Sequence, residues 1–207
     1  MFIAKKASKF VNILFPSLTF RYSNQDAKLF LTFDDGPIPG VTEFVLKCLE
    51  DFKARATFFC LGENADAYPS LYQQIILAGH RTGNHSWKHP DAFKVRNSDY
   101  LRDIEQADEL IREKIFRPPY GRLLPWQVNS LSKKYQIIMW EVMIPDYKAN
   151  LDCDDVLTNL CSKITEGSII VMHDSLKSYK NLHYLLPRLL EDFTGRGFKF
   201  EPIPVSQ

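Results

Sequence analysis

Short apolar runs alternate with longer amphipathic segments along most of this 207-residue chain. The apolar run 29–33 precedes an amphipathic segment at 41–52, and the run 56–61 precedes another at 69–78. Alternation of this kind predicts strands and helices in turn, and strands joined by helices favour a parallel sheet. We therefore expect a single α/β domain whose sheet is curled into a barrel.

The periodicity also gives bounds to the predicted elements. Strands are predicted at 29–33, 56–61, 137–140, 168–172 and 198–200, with a short strand leading into 83–85. Helices are predicted at 41–52, 69–78, 98–114, 125–133, 152–163 and 182–193, with Ser98 as the N-cap of the third. No linker rich in Gly, Ser or Pro divides the chain. We assign residues 1–27 to a partly amphipathic N-terminal extension and residues 28–207 to the α/β domain.

Charge and hydropathy exclude some classes of partner. The chain has 26 Lys+Arg and 25 Asp+Glu, a formal net charge of +1, which gives no reason to expect nucleic acid. The apolar run 10–15 is shorter than the core of a signal peptide, and a membrane-spanning helix needs about 20 apolar residues. We expect neither element, and favour a cytoplasmic location over a periplasmic or cell-envelope one. For the N-terminal segment, packing on the domain is favoured over contact with a membrane.

Polar side chains collect where the predicted strands end. Asp34 and Asp35 follow the first strand, His85 follows a later one, and His173 follows the strand at 168–172. Other polar residues in equivalent places are Arg117, Glu141 and Asp146. Because the carboxyl ends of parallel strands lie at the same edge of a barrel, we expect these side chains to form one site.

Asp35, His85 and His89 have the composition of a metal site. The two histidines are four residues apart, so they would share a face if the segment formed a helical turn. Two imidazoles and one carboxylate are typical of catalytic zinc sites, which leave positions open for water and substrate. Taken alone, the Asp-Gly-Pro sequence is equally typical of a turn, and the histidines could be unrelated surface residues.

Other residues could supply proton transfer and orientation. Asp34 could accept a proton from an attacking water, and His173 could protonate a leaving amine. Arg117 could orient a carboxylate, and the backbone N–H of Tyr120 is the first donor after two prolines. The alternatives are a structural histidine at position 173 and an ordinary proline-stiffened loop after Arg117.

Five segments, in order and from about residue 28 to residue 203, resemble the polysaccharide deacetylases, the NodB-homology group also called carbohydrate esterase family 4. They are 32–37 (TFDDGP), 85–89 (HSWKH), 117–121 (RPPYG), 140–147 (WEVMIPDY) and 170–174 (IVMHD). Two positions depart from the family pattern, with Tyr147 where tryptophan is usual and Val171 where leucine is usual. Both keep an apolar or aromatic wall, so we expect an altered fit to the substrate and retained chemistry.

The resemblance implies a distorted (β/α)7-type barrel that binds Zn²⁺ or another divalent ion such as Co²⁺, Ni²⁺ or Mn²⁺. The implied ligands are Asp35, His85 and His89. The implied general base is Asp34, and the implied general acid is His173. Supporting roles are implied for Asp146, which would tune the acid, for Arg117, which would orient the base, and for Tyr120, whose N–H would stabilise the oxyanion. The implied substrate pocket consists of Trp140, Val171, Pro119 and Tyr147.

The activity implied is hydrolysis of the N-acetyl amide of an N-acetylglucosamine-containing glycan, such as a chitooligosaccharide or peptidoglycan, with release of acetate. One alternative keeps a hydrolase but changes the substrate to a non-peptide C–N bond in a small or cyclic amide. Another is a non-catalytic glycan-binding domain that uses the ion structurally. A structural zinc site, however, is closed by four protein ligands and has no need of Asp34, Arg117 and His173.

Overall fold

The computed structural model describes residues 16–23 and 26–205. Its strands are β1 (Leu18–Thr19), β2 (Lys28–Asp34), β3 (Thr57–Cys60), β4 (Arg81–Asn84), β5 (Ile115–Phe116), β6 (Gln136–Ile138), β7 (Val142–Met143), β8 (Ile169–His173) and β9 (Lys199–Phe200). Its α-helices are α1 (Val41–Asp51), α2 (Gly62–Ala67), α3 (Pro69–Leu77), α4 (Asn97–Ala107), α5 (Pro125–Leu131), α6 (Cys153–Cys161) and α7 (Tyr179–Gly195), and a 3₁₀ turn spans Pro119–Gly121. None of the helices in these ranges is long and apolar enough to cross a membrane.

The strands form one curled sheet in the order β1-β6-β5-β4-β3-β2-β8-β7, and β9 pairs with β2. Each pairing between these named strands is parallel. Within the described residues β1 and β7 are the edges, so the sheet forms a half-barrel and does not close. The expectation of one α/β domain with a distorted, barrel-like parallel sheet is confirmed.

The first strand lies in the segment that we predicted as an extension. Leu18 and Thr19 pair with Ile137 and Ile138 of β6. The sheet therefore takes in part of residues 1–27, and a boundary at residue 28 stays a prediction. The apolar run 10–15 lies outside the described residues.

Alternation along β2 separates the core from the site. Leu29, Leu31 and Phe33 face the cluster that includes the α1 and α7 side chains. Phe30 faces the opposite way, into the inside of the half-barrel. Because successive side chains of a strand point to opposite faces, Asp34 lies on the interior side with Phe30. The sequence thus directs a carboxylate into the barrel at the end of an apolar strand.

The helix predicted at 98–114 is shorter in the structure. α4 ends at Ala107, and its N-cap residue is Arg96, so the prediction of Ser98 as N-cap was wrong. Asn84 Nδ2 donates to the Ile104 carbonyl at 3.0 Å and to the Asp108 carboxylate at 2.7 Å. These contacts with β4 accompany a turn that ends the helix and lets the chain enter β5.

Candidate active site

A cavity of about 650 Å³ opens at the carboxyl ends of the strands. Its polar wall includes Asp34, Asp35, His85, His89 and His173. These residues follow or end β2, β4 and β8, three strands that lie close together in the sheet. For these five residues the expectation that strand-end side chains meet in one place agrees with the structure. For Glu141 it was wrong, because its buried carboxylate accepts a hydrogen bond from Ser168 just before β8, away from the cavity.

Asp35, His85 and His89 converge on one point of this cavity. Oδ1 of Asp35 lies 3.7 Å from Nε2 of His85 and 3.5 Å from Nε2 of His89. The three ligand atoms all lie within 4.8 Å of one another. Two ligands about 2.0–2.1 Å from one tetrahedral zinc ion are about 3.4 Å apart, so this donor set fits a divalent ion.

Hydrogen bonding and burial prepare both imidazoles to bind a cation. Nδ1 of His85 lies 2.7 Å from the carbonyl oxygen of Arg117, which can only accept, so Nδ1 carries the proton and Nε2 presents its lone pair. Burial, with the neighbouring His85, lowers the pKa of His89 from 6.5 to about 4. A neutral imidazole is the form that binds metal, so His89 is in that form at neutral pH.

An irregular loop, and not a helical turn, brings the two histidines together. Ser86 and His89 have positive φ angles of 71° and 57°, so the expectation of a helical turn was wrong. Oδ1 of Asp103 in α4 accepts hydrogen bonds from the backbone N–H groups of Trp87 and Lys88, at 2.7 and 3.1 Å. Hydrogen bonds to a side chain of α4 therefore hold this loop in a backbone conformation that residues other than glycine rarely adopt.

Asp34 is held by a buried arginine that follows β5. Nη1 of Arg117 donates to Oδ1 of Asp34 at 2.7 Å and to Oγ1 of Thr32 at 2.7 Å. Asp34 is only 4% exposed, yet it lines the cavity. This contact fixes the orientation of one carboxylate oxygen.

Arg117 itself is completely buried. It donates to the carbonyls of Ile138 and Met139 at 3.2 and 3.0 Å, and its guanidinium lies 4.1 Å from the centre of the Phe59 ring. Burial lowers the pKa of Arg117, and the charge of Asp34 and its hydrogen bond oppose this change. Each nitrogen of the guanidinium thus donates at least one hydrogen bond, and these bonds fix its orientation.

His173 lines the cavity and is held by Asp146, which is buried behind it. Nδ1 of His173 lies 2.7 Å from Oδ1 of Asp146, and the backbone N–H of His173 donates to Oδ2 at 2.8 Å. Burial works to lower the pKa of His173, but the hydrogen bond and charge of Asp146 outweigh it and raise the pKa to about 9. The imidazole is therefore a cation at neutral pH, with a proton available on Nε2.

The predicted substrate-pocket residues divide into two groups. Trp140 and Tyr147 line the cavity, and the Tyr147 ring stands edge-on to the His173 ring with centroids 5.3 Å apart. Val171 is fully buried within β8 and Pro119 is buried in the 3₁₀ turn. Neither of these two is among the described residues that line the cavity. Tyr120 lines it with a positive φ of 59°.

Two supporting residues had no role in the sequence-based expectation. Asp174 is buried beneath the Asp34–Asp35 loop, and its position next to His173 in the fifth segment was the available signal. Asn64 of α2 donates to the Asp35 carbonyl at 2.7 Å. No sequence pattern pointed to Asn64, because α2 itself was not predicted.

Comparison with known proteins agrees with this geometry. Residues 21–137 match the model of the polysaccharide deacetylase family. A peptidoglycan-N-acetylglucosamine deacetylase of Bacillus cereus is 31% identical over 186 residues, covering 86% of this chain and 67% of the relative. A chitooligosaccharide deacetylase of Azorhizobium caulinodans is 28% identical over 207 residues, covering 89% and 96%.

A solved structure has the same fold over nearly its full length. It is a peptidoglycan N-acetylglucosamine deacetylase, Bc1960, in complex with 4-naphthalen-1-yl-N-oxidanyl-benzamide. The two structures align with a TM-score of 0.87 at 28% identity, covering 96% of each chain. The match to the family model and these similarities agree that this chain belongs to the polysaccharide deacetylase family, carbohydrate esterase family 4, the NodB-homology group.

Proposed function

We propose that this protein is a metal-dependent deacetylase that hydrolyses the N-acetyl amide of N-acetylglucosamine-containing glycans and releases acetate. One observation carries the proposal. A possible metal-ligand triad, a carboxylate fixed by a buried arginine and a histidine held by a buried aspartate all face the same cavity. The relatives named above, which act on peptidoglycan or chitooligosaccharides, support glycans of this class as the substrate.

Asp35, His85 and His89 would hold the ion. Two imidazole nitrogens and one carboxylate oxygen suit Zn²⁺, and Co²⁺, Ni²⁺ or Mn²⁺ are the alternatives. When bound, a divalent ion there polarises the amide carbonyl and lowers the pKa of water. Asp35 and the two histidines leave the open side of the cavity to the substrate.

Asp34 serves as the general base. Its Oδ1 is occupied by Arg117, so Oδ2 is the oxygen left to accept a proton from the water that attacks the amide carbon. Arg117 holds this carboxylate in a fixed orientation from the buried side of the site. Asp34 and Asp35 thus take different roles, because Asp34 accepts the proton of water and Asp35 binds the ion.

His173 serves as the general acid. Asp146 holds Nδ1, which directs the protonated Nε2 toward the cavity. As the tetrahedral intermediate collapses, the C–N bond breaks and this proton passes to the departing amine. The products are acetate and the free amino group of the sugar.

Two further groups complete the proposed site. The backbone N–H of Tyr120 would stabilise the developing oxyanion, a role suited to a rigid donor at the cavity wall. Trp140 and Tyr147 would form the apolar wall around the acetyl methyl group.

The test is acetate release from chitotetraose and from peptidoglycan fragments, measured with added Zn²⁺, Co²⁺, Ni²⁺ or Mn²⁺. We expect release by the wild type and a loss of about 10²–10⁴-fold in Asp34→Asn with unchanged metal content. No acetate from any glycan by the metal-loaded protein would overturn the proposal. Turnover of a cyclic ureide instead would favour a small-amide hydrolase, and equal behaviour of Asp34→Asn and wild type would indicate a binding domain.

A further inference from the structure

Asp174 is a buried carboxyl group to which the proposed mechanism gives no task. It is 1% exposed and follows His173 at the end of β8. Its side chain is not among the described groups that line the cavity, so it does not meet the substrate. A buried carboxyl group is costly unless its hydrogen-bonding capacity is used, which makes its partners informative.

Those partners are Gly36, in the loop that carries the proposed metal ligand Asp35, and Thr42, in the first turn of α1. Oδ1 of Asp174 accepts a hydrogen bond from the backbone N–H of Gly36 at 3.0 Å. The Thr42 hydroxyl donates to Oδ2 of Asp174 at 2.6 Å, and the Thr42 hydroxyl oxygen accepts a hydrogen bond from the backbone N–H of Ile38 at 2.8 Å. One carboxyl group therefore holds the loop on both sides of Pro37, directly and through Thr42.

The approach of Asp174 to Gly36 is close enough to exclude any side chain there. A Cβ atom added to Gly36 would lie 1.9 Å from Oδ2 of Asp174. Glycine is thus required at position 36, because the Asp174 carboxyl group occupies the space that a side chain would need. The absence of a side chain lets the Gly36 backbone N–H come close enough to donate to Asp174.

Asp174 also joins this loop to the strand of the proposed acid. Asp34 and His173 are direct register partners in β2 and β8, and the Asp174 backbone N–H donates to the Asp34 carbonyl at 3.1 Å. On its far side the loop is held by Asn64 at the Asp35 carbonyl. The carboxyl group of Asp174 is therefore the β8-side anchor of the backbone that leads into and out of Asp35.

We propose that Asp174 is a positioning residue that sets the place of Asp35 in the metal site, through its hydrogen bonds to Gly36 and Thr42. The inference rests on the proposed function, since it concerns the same site. A positioning role differs from a purely structural one, because it requires that loss of the carboxyl group weakens metal binding in a protein that remains folded.

The experiment compares Asp174→Ala and Asp174→Asn with wild type. Zn²⁺ affinity is measured by titration calorimetry, kcat and KM by acetate release, and folding by circular dichroism and denaturation. We expect Asp174→Ala to lose about 10- to 100-fold in metal affinity, as for other residues that orient metal ligands. The loss of activity should appear in kcat more than in KM. The alkaline limb of the pH–rate profile should stay in place, because His173 and Asp146 are untouched.

Asp174→Asn is the conservative rescue. Burial raises the pKa of Asp174 to about 8, so a neutral amide of the same shape is a close replacement. Its carbonyl oxygen can accept from Gly36 and its amino group can donate to the Thr42 oxygen. We expect affinity within about threefold of wild type, since both partners stay hydrogen-bonded, with donor and acceptor exchanged at Thr42.

Ser168→Ala is the matched control. Ser168 is also fully buried, immediately before β8 at its opposite end, and its hydroxyl donates to Glu141 at 2.7 Å. Its loss should lower stability without changing Zn²⁺ affinity. A fall in affinity as large as that of Asp174→Ala would show that general destabilisation weakens the site, and would overturn the inference.

Two further outcomes decide the matter. A folded Asp174→Ala with wild-type affinity and kcat overturns the inference and leaves the proposed function standing. If Asp174→Ala does not fold, Thr42→Val decides, since it removes the partner of Oδ2 and should weaken metal binding in the same direction. Unchanged affinity in Thr42→Val then overturns the inference. A wild type that neither binds Zn²⁺ nor releases acetate overturns the proposed function and this inference with it.

Discussion

The carboxylate of Asp146 binds His173 twice, once at Nδ1 of the ring and once at the backbone N–H. The ring and the backbone of the same residue are therefore held by one group. Asp146 is fully buried and the His173 side chain is 15% exposed, so the two charges interact in surroundings with little solvent screening. The raised pKa of His173, about 9, is a direct consequence.

Replacing Asp146 by asparagine should move the alkaline limb of the pH–rate profile to lower pH. A general acid works only while protonated, so the wild type should keep its activity up to about pH 9. Asparagine removes the charge that raises the pKa of His173 and leaves the burial that lowers it. The profile of kcat/KM against pH measures the shift. An alkaline limb at the same pH in both proteins would contradict the role of His173.

Replacing Arg117 by methionine should destabilise the fold as well as the site. The change leaves the Asp34 carboxylate and the carbonyls of Ile138 and Met139 without the guanidinium that binds them. Breaking one side of a buried ion pair costs about 3–5 kcal/mol. Urea denaturation should give a lower midpoint with an unchanged slope.

The control for this change is Arg188→Met. Arg188 is exposed and stacks on Tyr184, with its guanidinium 3.6 Å from the ring centre, outside the cavity. Its loss should change the free energy of unfolding by no more than about 0.5 kcal/mol. A similar cost for the two arginines would mean that the Asp34 contact contributes little.

Replacing His89 by alanine should remove the bound ion together with the activity. His183→Ala provides the comparison, because His183 is an exposed histidine that stacks on Phe44 of α1 and does not line the cavity. We expect one ion per chain in wild type and His183→Ala, and a substoichiometric content in His89→Ala after dialysis. Elemental analysis measures the content. Full metal occupancy in His89→Ala would exclude the proposed ligand set.

Truncating Tyr147 should weaken substrate binding more than it slows the chemistry. Its ring lines the cavity beside His173 and is 44% exposed, so it can contact a bound sugar. Loss of such an aromatic contact predicts a KM for Tyr147→Ala about two- to tenfold higher, with a smaller change in kcat. Tyr147→Phe keeps the ring and should resemble wild type in steady-state kinetics. A KM unchanged in the alanine variant would remove Tyr147 from the proposed pocket.

The position of the site could be predicted because it follows from the strand and helix periodicities of the apolar residues. Asp34, His85 and His173 are polar residues at the ends of apolar strands, and parallel strands bring such ends together. The same reasoning gave the α/β class and the curled parallel sheet. The proposed division of roles between Asp34 and Asp35 rests on their adjacency at a strand end, although Asp35 takes a positive φ of 82° and is not extended.

The parts that could not be predicted depend on contacts between distant segments. The loop from His85 to His89 is fixed by Asp103, and α4 ends where Asn84 binds it. Strand β7 has two residues and exists through its pairing with β8. Local sequence preferences carry no information on such contacts, so boundaries and loop conformations were the least accurate part of the expectation.

The register of β2 against β8 has a consequence for motion. Asp34 and His173 are opposite each other on neighbouring strands of the middle of the sheet, and β2 is also paired with β3 and β9. Amide groups in such strands open to hydrogen exchange only in the largest unfolding events, whereas loops open in small ones. The proposed base and acid should therefore keep their separation while the surrounding loops fluctuate. Loop movements could then admit substrate without disturbing proton transfer.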